Sequence, residues 1–289
     1  LNVERPTAAQ VIRSIEHVGN GVVWLVSGTD LWRGDTKTVR LEKVEGYVER
    51  GASQHGRLSF NAQLHYDRSS HTLVYASEYG IQLFGLDDSR HIESARMLSG
   101  VTESLANVDQ TVSASSLLHL STGQLVVTTK RGLAIIDPTS AKTYFHALVR
   151  DDTVEVTGAV RHVAEDSAGA LWVGTRFGVY RLRVSPSGDE MTVLGHWTTM
   201  SGLSDDVVYS VFPESERAVW LASNRGLSRL ELPASDEESQ HLTHYGLVDG
   251  LPTLEFNTAA VSVGSDRYVV LGSIAGLAGF QPTDIQPHP

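Results

Sequence analysis

Apolar residues along this chain come in short runs rather than at helical spacing, and the runs recur in pairs. The clearest pair reads LWVGTRFGVYRL at 171–182 and returns as VWLASNRGLSRL at 219–230. Weaker copies are LVYASEYGIQLF (73–84), LVVTTKRGLAII (125–136), VVLGSIAGLAGF (269–280) and VVWLVSGTDLWR (22–33). Each is an apolar strand, a small residue pair, two variable residues, a glycine and a second strand, which is the pattern of a hairpin. The turn glycines Gly80, Gly132, Gly178, Gly226 and Gly276 stand 52, 46, 48 and 50 residues apart, and Asp30 holds the equivalent place 50 residues before Gly80. Glycine at that loop position predicts a type I turn closed by a G1 bulge, where the residue takes positive φ; aspartate is among the few others that tolerate it.

A period of this length carrying strands rather than helices predicts an all-β fold, a β-propeller with one four-stranded antiparallel blade per repeat. Six repeats are visible and a seventh is allowed. The expectation is a single domain over 1–289, with blades near 6–40, 41–90, 91–140, 141–190, 191–238 and 239–285. In the fifth, 207–212 is the inner strand, followed by 219–223, 227–232 and the outer 241–245. Small pairs such as Gly174-Thr175, Ala222-Ser223 and Gly272-Ser273 predict a crowded layer between blades. Trp24, Trp172 and Trp220 share one equivalent position, taken elsewhere by Val74, Val126 and Val270, and read as inter-blade core. The last repeat has no fourth strand after Phe280, so segment 1–5 is expected to add there as the N-terminal closing strand and hide the edge. Two polar connectors, 42–56 and 89–110, leave room for a degenerate extra strand pair.

Composition removes several functions. There is no cysteine, which excludes disulfides, thiolate nucleophiles and cysteine-ligated metals, and suits an oxidising compartment. A formal net charge of −11 argues against nucleic acid as a partner. The longest apolar stretch, 268–280, is too short to cross a bilayer and is broken by Gly272, Gly276 and Gly279, so no direct membrane span is expected. No leader peptide opens the chain, which fits a mature or trimmed product and a cytoplasmic protein equally.

Candidate binding chemistry sits at the hairpin tips. Tyr79, Lys130, Arg131, Arg176, Phe177, Asn224 and Arg225 occupy them, and the segment from Asp249 through Glu255 to Asn257 lies on the same face. Four cations on an acidic protein suggest an anion-accepting patch with Tyr79 and Phe177 as stacking platforms; exposed tips also favour charge without any ligand. Glu255 invites a catalytic reading, but no second carboxylate can be placed at a working separation from it. Phe256 reads instead as wall and Asn257 as a partner for loop backbone. His241 and His244 point to opposite faces of a strand, and His65 and Asp67 share a face that nothing nearby completes, so neither metal nor cofactor is expected. Nucleophile elbows, phosphate-binding loops and H-E-x-x-H motifs are absent from the sequence.

Three segments carry a more specific pattern: SGLSDDVVYSV (201–211), DGLPTLEFNTAAV (249–261) and the closing GLAGFQPTDI (276–285). Together they resemble the two-component regulator propeller repeats of bacterial extracytoplasmic sensors. The resemblance implies a non-enzymatic, periplasmic, ligand-sensing propeller, coupled through downstream immunoglobulin-like and signalling domains to a histidine kinase or diguanylate cyclase. It further implies a small-molecule or oligosaccharide ligand, since several members sense oligosaccharides, and allows a homodimer. The family usually builds seven blades, so six repeats suggest a fragment of a longer receptor. A metal-dependent propeller enzyme of lactonase or lyase type and a protein-interaction scaffold remain the alternatives.

Overall fold

The computed structural model describes residues 12–27, 30–44, 62–78, 80–108, 110, 112–150, 154–155, 160–235, 239–264 and 266–285. The chain divides into two compact units, Leu1–His119 with Gly123–Phe145, and Leu120–Thr122 with His146–Pro289. Each holds three consecutive blades of the β-propeller.

In the first unit, blade 1 is β1 (Ile12–Gly19), β2 (Val22–Ser27), β3 (Asp30–Asp35) and β4 (Arg40–Val44). Blade 2 is β5 (Ala62–Asp67), β6 (Thr72–Ser77), β7 (Gly80–Leu86) and β8 (Ile92–Met97), followed by helix α1 (Ser99–Ala106). Blade 3 is β9 (Val112–His119), β10 (Leu125–Thr129), β11 (Gly132–Ile136) and β12 (Thr143–Ala147), the last running across the boundary between the units. In the second unit a short ladder of β13 (Val149–Arg150) and β14 (Val154–Glu155) precedes blade 4, which is β15 (His162–Glu165), β16 (Leu171–Thr175), β17 (Gly178–Val184) and β18 (Met191–Trp197). Blade 5 is β19 (Val208–Pro213), β20 (Ala218–Ser223), β21 (Gly226–Glu231) and β22 (His241–Tyr245). Among the described residues, blade 6 has three strands, β23 (Phe256–Val263), β24 (Val269–Ser273) and β25 (Gly276–Phe280). Strand order within every blade follows the sequence, as a meander. The expected closing strand at 1–5 lies outside the described residues.

The second strand of each blade is deeply buried, and in blade 3 the third strand, β11, is buried as completely as β10. Every residue of β10, β16 and β20 is buried, and for β20 the apolar clusters shared with blades 4 and 6 cover both faces. That is why these segments read as unbroken apolar runs instead of alternating ones. Outer strands invert the pattern: most of β8 is exposed. Each outer strand also falls on or just past the approximate boundaries read from the tip period, for example β8 after residue 90 and β22 after 238. Among its described residues the polar connector 89–110 shows no degenerate strand pair; it holds β8 and α1, whose Val101 and Leu105 plug the apolar cluster of Val74, Ile81, Leu125 and Ile136. The described part of 42–56 is the end of β4, and the remainder lies outside the described residues.

Trp24, Trp172 and Trp220 are core residues, each at most 1% exposed. In the second unit each sits in a larger device. Trp172 donates its Nε1–H to Asp166 at 3.1 Å, and Arg181, its cross-strand partner, reaches the same carboxylate at 2.8 Å. Asp166 also accepts the N–H groups of Ala168 and Ala170, both at 3.0 Å, which closes the hairpin between β15 and β16. Blade 5 repeats the arrangement with Glu214, Trp220 and Arg229. The hydrogen bonds from Arg229 hold the Glu214 carboxyl below the usual range. Arg181 continues to the Glu216 carbonyl at 2.7 Å, fastening blade 4 to the turn of blade 5.

Candidate functional site

The tips are built by a repeated hydroxyl. Thr129, Thr175, Ser223 and Ser273 end the second strands, and each donates its hydroxyl to the carbonyl of the turn glycine, at 3.1, 2.8, 3.2 and 2.9 Å. In blades 4 to 6 the same oxygen accepts the N–H two residues on, from Phe177, Arg225 and Ala275. The small pairs thus have two jobs. The first residue answers crowding, since a Cβ on Gly174 would meet the Val208 carbonyl oxygen at 2.8 Å. The second folds the turn.

Gly178 and Gly226 take φ of +99° and +91°, as the bulge requires. Gly132 departs from the expectation: it is not left-handed, and its N–H donates to the Thr129 hydroxyl at 3.1 Å. At the equivalent place Asp30 pairs with Ser27 and forms an ion pair with Lys43 at 3.1 Å.

In the second unit the tips are joined to the loops leading into the next blade. Gly178 donates its N–H to the Asp206 carbonyl at 2.6 Å, and Gly226 to the Leu254 carbonyl at 2.9 Å. Arg225 therefore stands beside the DGLPTLEFN loop. Arg176 and Arg225 are exposed, Asn224 and Phe177 half-buried, and the side chains of Glu255 and Asn257 exposed. The Phe177 carbonyl is held by His196 Nε2 at 2.7 Å, and the His196 ring stacks on Tyr180 with centroids 3.9 Å apart. Phe256 is buried in the wall as expected. The Asn257 carbonyl accepts the Ser210 hydroxyl at 3.5 Å.

In the first unit Lys130 is exposed, whereas Arg131 turns back onto its own scaffold. Its guanidinium donates to the Val108 carbonyl at 2.8 Å and lies 5.8 Å from the centre of the Phe145 ring. Tyr79 lies outside the described residues.

Asp249 has a structural task. It ends a 3-10 turn over Leu247–Asp249 and accepts the Gly246 N–H at 2.6 Å, while Gly250 takes φ +94°. Ser201 does the same for Thr198 at 2.7 Å, with Gly202 at +102° and Leu203 buried beneath. The S/D-G-L motif is a turn closure, a left-handed residue and an apolar plug.

Two histidines are kept neutral by burial. His162 accepts the Val211 N–H on Nδ1 at 3.2 Å, and burial brings its pKa down to about 4 from 6.5. Burial, followed by nearby His119, also brings His65 down to about 4. Between these values the unfolded chain holds protons that folded His162 refuses, so its contribution rises with pH from about 4 to 6.5 and is lost on acidification. His162→Gln, which keeps an acceptor for Val211, is expected to flatten the pH dependence by ~1.4 kcal/mol per pH unit in that window. Urea unfolding of both proteins at pH 4.5 and 7 measures this; parallel slopes would remove His162 as the source.

His65 and Asp67 do acquire a neighbour that sequence spacing does not reveal: His119 Nδ1 lies 3.6 Å from Asp67. Among the described residues, no three His, Asp or Glu side chains are placed to hold a metal ion. Among them, too, no helix is long and apolar enough to cross a membrane.

No known protein-family model matches the sequence, and no curated protein matches it. Solved structures share the fold. The extracellular domain of the hybrid two-component system BT3049 from B. thetaiotaomicron matches with a TM-score of 0.56 at 18% identity over 95% of this chain. This chain covers 39% of that domain, so it spans about two fifths of its length. Virginiamycin B lyase from Staphylococcus aureus matches with a TM-score of 0.58 at 10% identity, covering 95% of this chain and 85% of that one. YCF48 from Cyanidioschyzon merolae gives 0.60 at 11%, covering 97% and 98%. The fold is therefore shared by the extracellular domain of a two-component system and a lyase alike.

Proposed function

We propose that this chain is a ligand-sensing propeller from the extracytoplasmic part of a bacterial signal-transduction receptor, and that it binds a polar or acidic oligosaccharide-like ligand without catalysing a reaction. The observation that carries the reading is the join between tip and loop in the second unit. The Gly226–Leu254 hydrogen bond sets Arg225 against the DGLPTLEFN segment, next to the tip that bears Arg176 and Phe177. Two exposed guanidinium groups, a half-buried ring face, an amide and a carboxylate suit hydroxyls and carboxylates on a flat sugar. The likeness to the BT3049 extracellular domain agrees with such a role, as do the two S/D-G-L loops. In the first unit the tip of blade 3 presents Lys130 outward, whereas Arg131 is engaged with Val108 and Phe145. Occupancy signals by favouring one arrangement relative to downstream domains or a second protomer.

A uronic-acid oligosaccharide is expected to raise the thermal midpoint of the purified chain, by mass action on the folded state. The Arg176→Ala plus Arg225→Ala variant should lose that shift while keeping its unliganded midpoint within ~1 °C, as expected for exposed side chains. An unchanged shift in the double variant removes the tips as the site. A shift produced only by divalent metal would favour an enzyme.

A further inference from the structure

Blade 2 lacks the side chains that fill the corresponding place in blades 4 and 5. Where those blades pair Trp172 with Arg181 and Trp220 with Arg229, blade 2 pairs Val74 with Leu83. Asp67 stands in its hairpin where Asp166 and Glu214 stand in theirs, opening the turn between the first and second strands. The indole and guanidinium are missing, but the carboxylate remains.

An open cleft of ≈ 350 Å³ occupies this place, within the first unit and at the opposite end of the strands from the tips. Half-buried Leu83 lines its open side, the core residues Val74 and Leu125 form its floor with only 2% and 1% of their surface exposed, and Asp67, His119 and Arg96 contribute its polar groups. Arg96 is spent on backbone, donating to the Pro138 and Thr139 carbonyls. Asp67 is not saturated. Its Oδ1 accepts the Ser69 N–H at 2.9 Å and hydroxyl at 2.7 Å, its Oδ2 accepts the Ser70 hydroxyl, and His119 stands off at 3.6 Å. A carboxylate has about four acceptor sites, and among the described residues three hydrogen bonds reach this one, so the fourth site, on the Oδ2 side toward His119, takes no hydrogen bond from them. Burial alone would raise the Asp67 pKa, but the Ser70 and Ser69 hydrogen bonds outweigh it and bring it to about 2.

We propose that this cleft is a binding site for a flat aromatic cation of indole size, its ring on Val74, Leu83 and Leu125 and its ammonium or guanidinium on Asp67. The ligand takes the place that tryptophan and arginine of the chain itself take in blades 4 and 5, where one carboxylate holds both an indole N–H and a guanidinium. The volume is at the lower end of small-molecule sites. This site is separate from the tips and does not depend on what they bind.

Calorimetric titration with tryptamine, indole and indole-3-acetate tests the assignment. Saturable binding of tryptamine is expected, with indole-3-acetate at least about tenfold weaker because it brings a like charge to Asp67. Asp67→Asn should weaken tryptamine by about tenfold while leaving indole nearly unchanged. Val74→Trp plus Leu83→Arg, which rebuilds the side chains of blades 4 and 5, should abolish binding of all three and retain the near-UV circular dichroism of a packed core. No saturable tryptamine binding up to ~10 mM, a range that reaches the weakest affinities of small ligands, would overturn the proposal. So would equal affinity for indole-3-acetate, or unaltered tryptamine binding by Asp67→Asn. Should the double variant fail to fold, the Asp67→Asn comparison decides alone.

Discussion

Replacing Asp166 with alanine is expected to destabilise the second unit by ~3–5 kcal/mol, the range for breaking a buried ion pair from one side. The Asp166 side chain has no exposed surface, and its two oxygens receive Trp172, both Arg181 donors, and the N–H groups of Ala168 and Ala170. Alanine leaves an indole N–H and a guanidinium without their acceptor in a site water barely reaches. Glu214 offers the contrast. Its side chain is 27% exposed, so water can replace part of what Glu214→Ala removes, and that loss should be smaller. Adding Arg181→Met to Asp166→Ala should recover part of the loss, because the charge left stranded is then gone. Urea unfolding of the three variants checks the order. An Asp166→Ala cost below ~1 kcal/mol would show that the triad lends shape without stability, since an ordinary hydrogen bond alone accounts for that much.

Gly178→Ala is expected to cost several kcal/mol, whereas Gly276→Ala should cost only about 1 kcal/mol, the strain of a left-handed alanine. Both glycines have positive φ, +99° and +115°. They differ in surroundings: a Cβ on Gly178 would lie 2.0 Å from the Trp197 carbonyl oxygen, while one on Gly276 would meet nothing within 4 Å. Trp197 is itself held, stacked on Trp172 with centroids 5.4 Å apart, so β18 cannot withdraw without disturbing the core. Gly226→Ala should follow Gly178, with the Tyr245 carbonyl oxygen at 2.2 Å. Midpoints of chemical unfolding decide. Equal losses at all three positions would mean that backbone conformation alone sets the cost.

The architecture was legible because burial on both faces wrote β10, β16 and β20 as apolar runs, each closed by a hydroxyl and a glycine. Outer strands left no such mark. The strand β8, mostly exposed, reads like a loop, and α1 has only Val101 and Leu105 to announce one turn of buried helix. The acid–tryptophan–arginine arrangement was present but easy to pass over. Trp24, Trp172 and Trp220 are each followed nine residues later by arginine, Arg33, Arg181 and Arg229, and the valines at the same position are not. That covariation among repeats marks the device without any structure. Site reading was weaker for a physical reason. A tip position predicts exposure of the backbone, but it does not say whether a long side chain extends or folds back. Arg176 and Arg225 extend; Arg131 does not.

The Ser201 and Asp249 loops bear on how such chains diversify. The letters that make these segments recognisable are those that close a turn, tolerate its handedness and seal the layer below. Selection on foldability preserves them whatever the chain's function. The neighbouring arginines and asparagine stand outward, free of that constraint, and can be exchanged at little cost to folding. Recognition chemistry can therefore turn over quickly beneath an unchanged motif, and two proteins sharing the motif should be expected to differ in their ligands as readily as to agree.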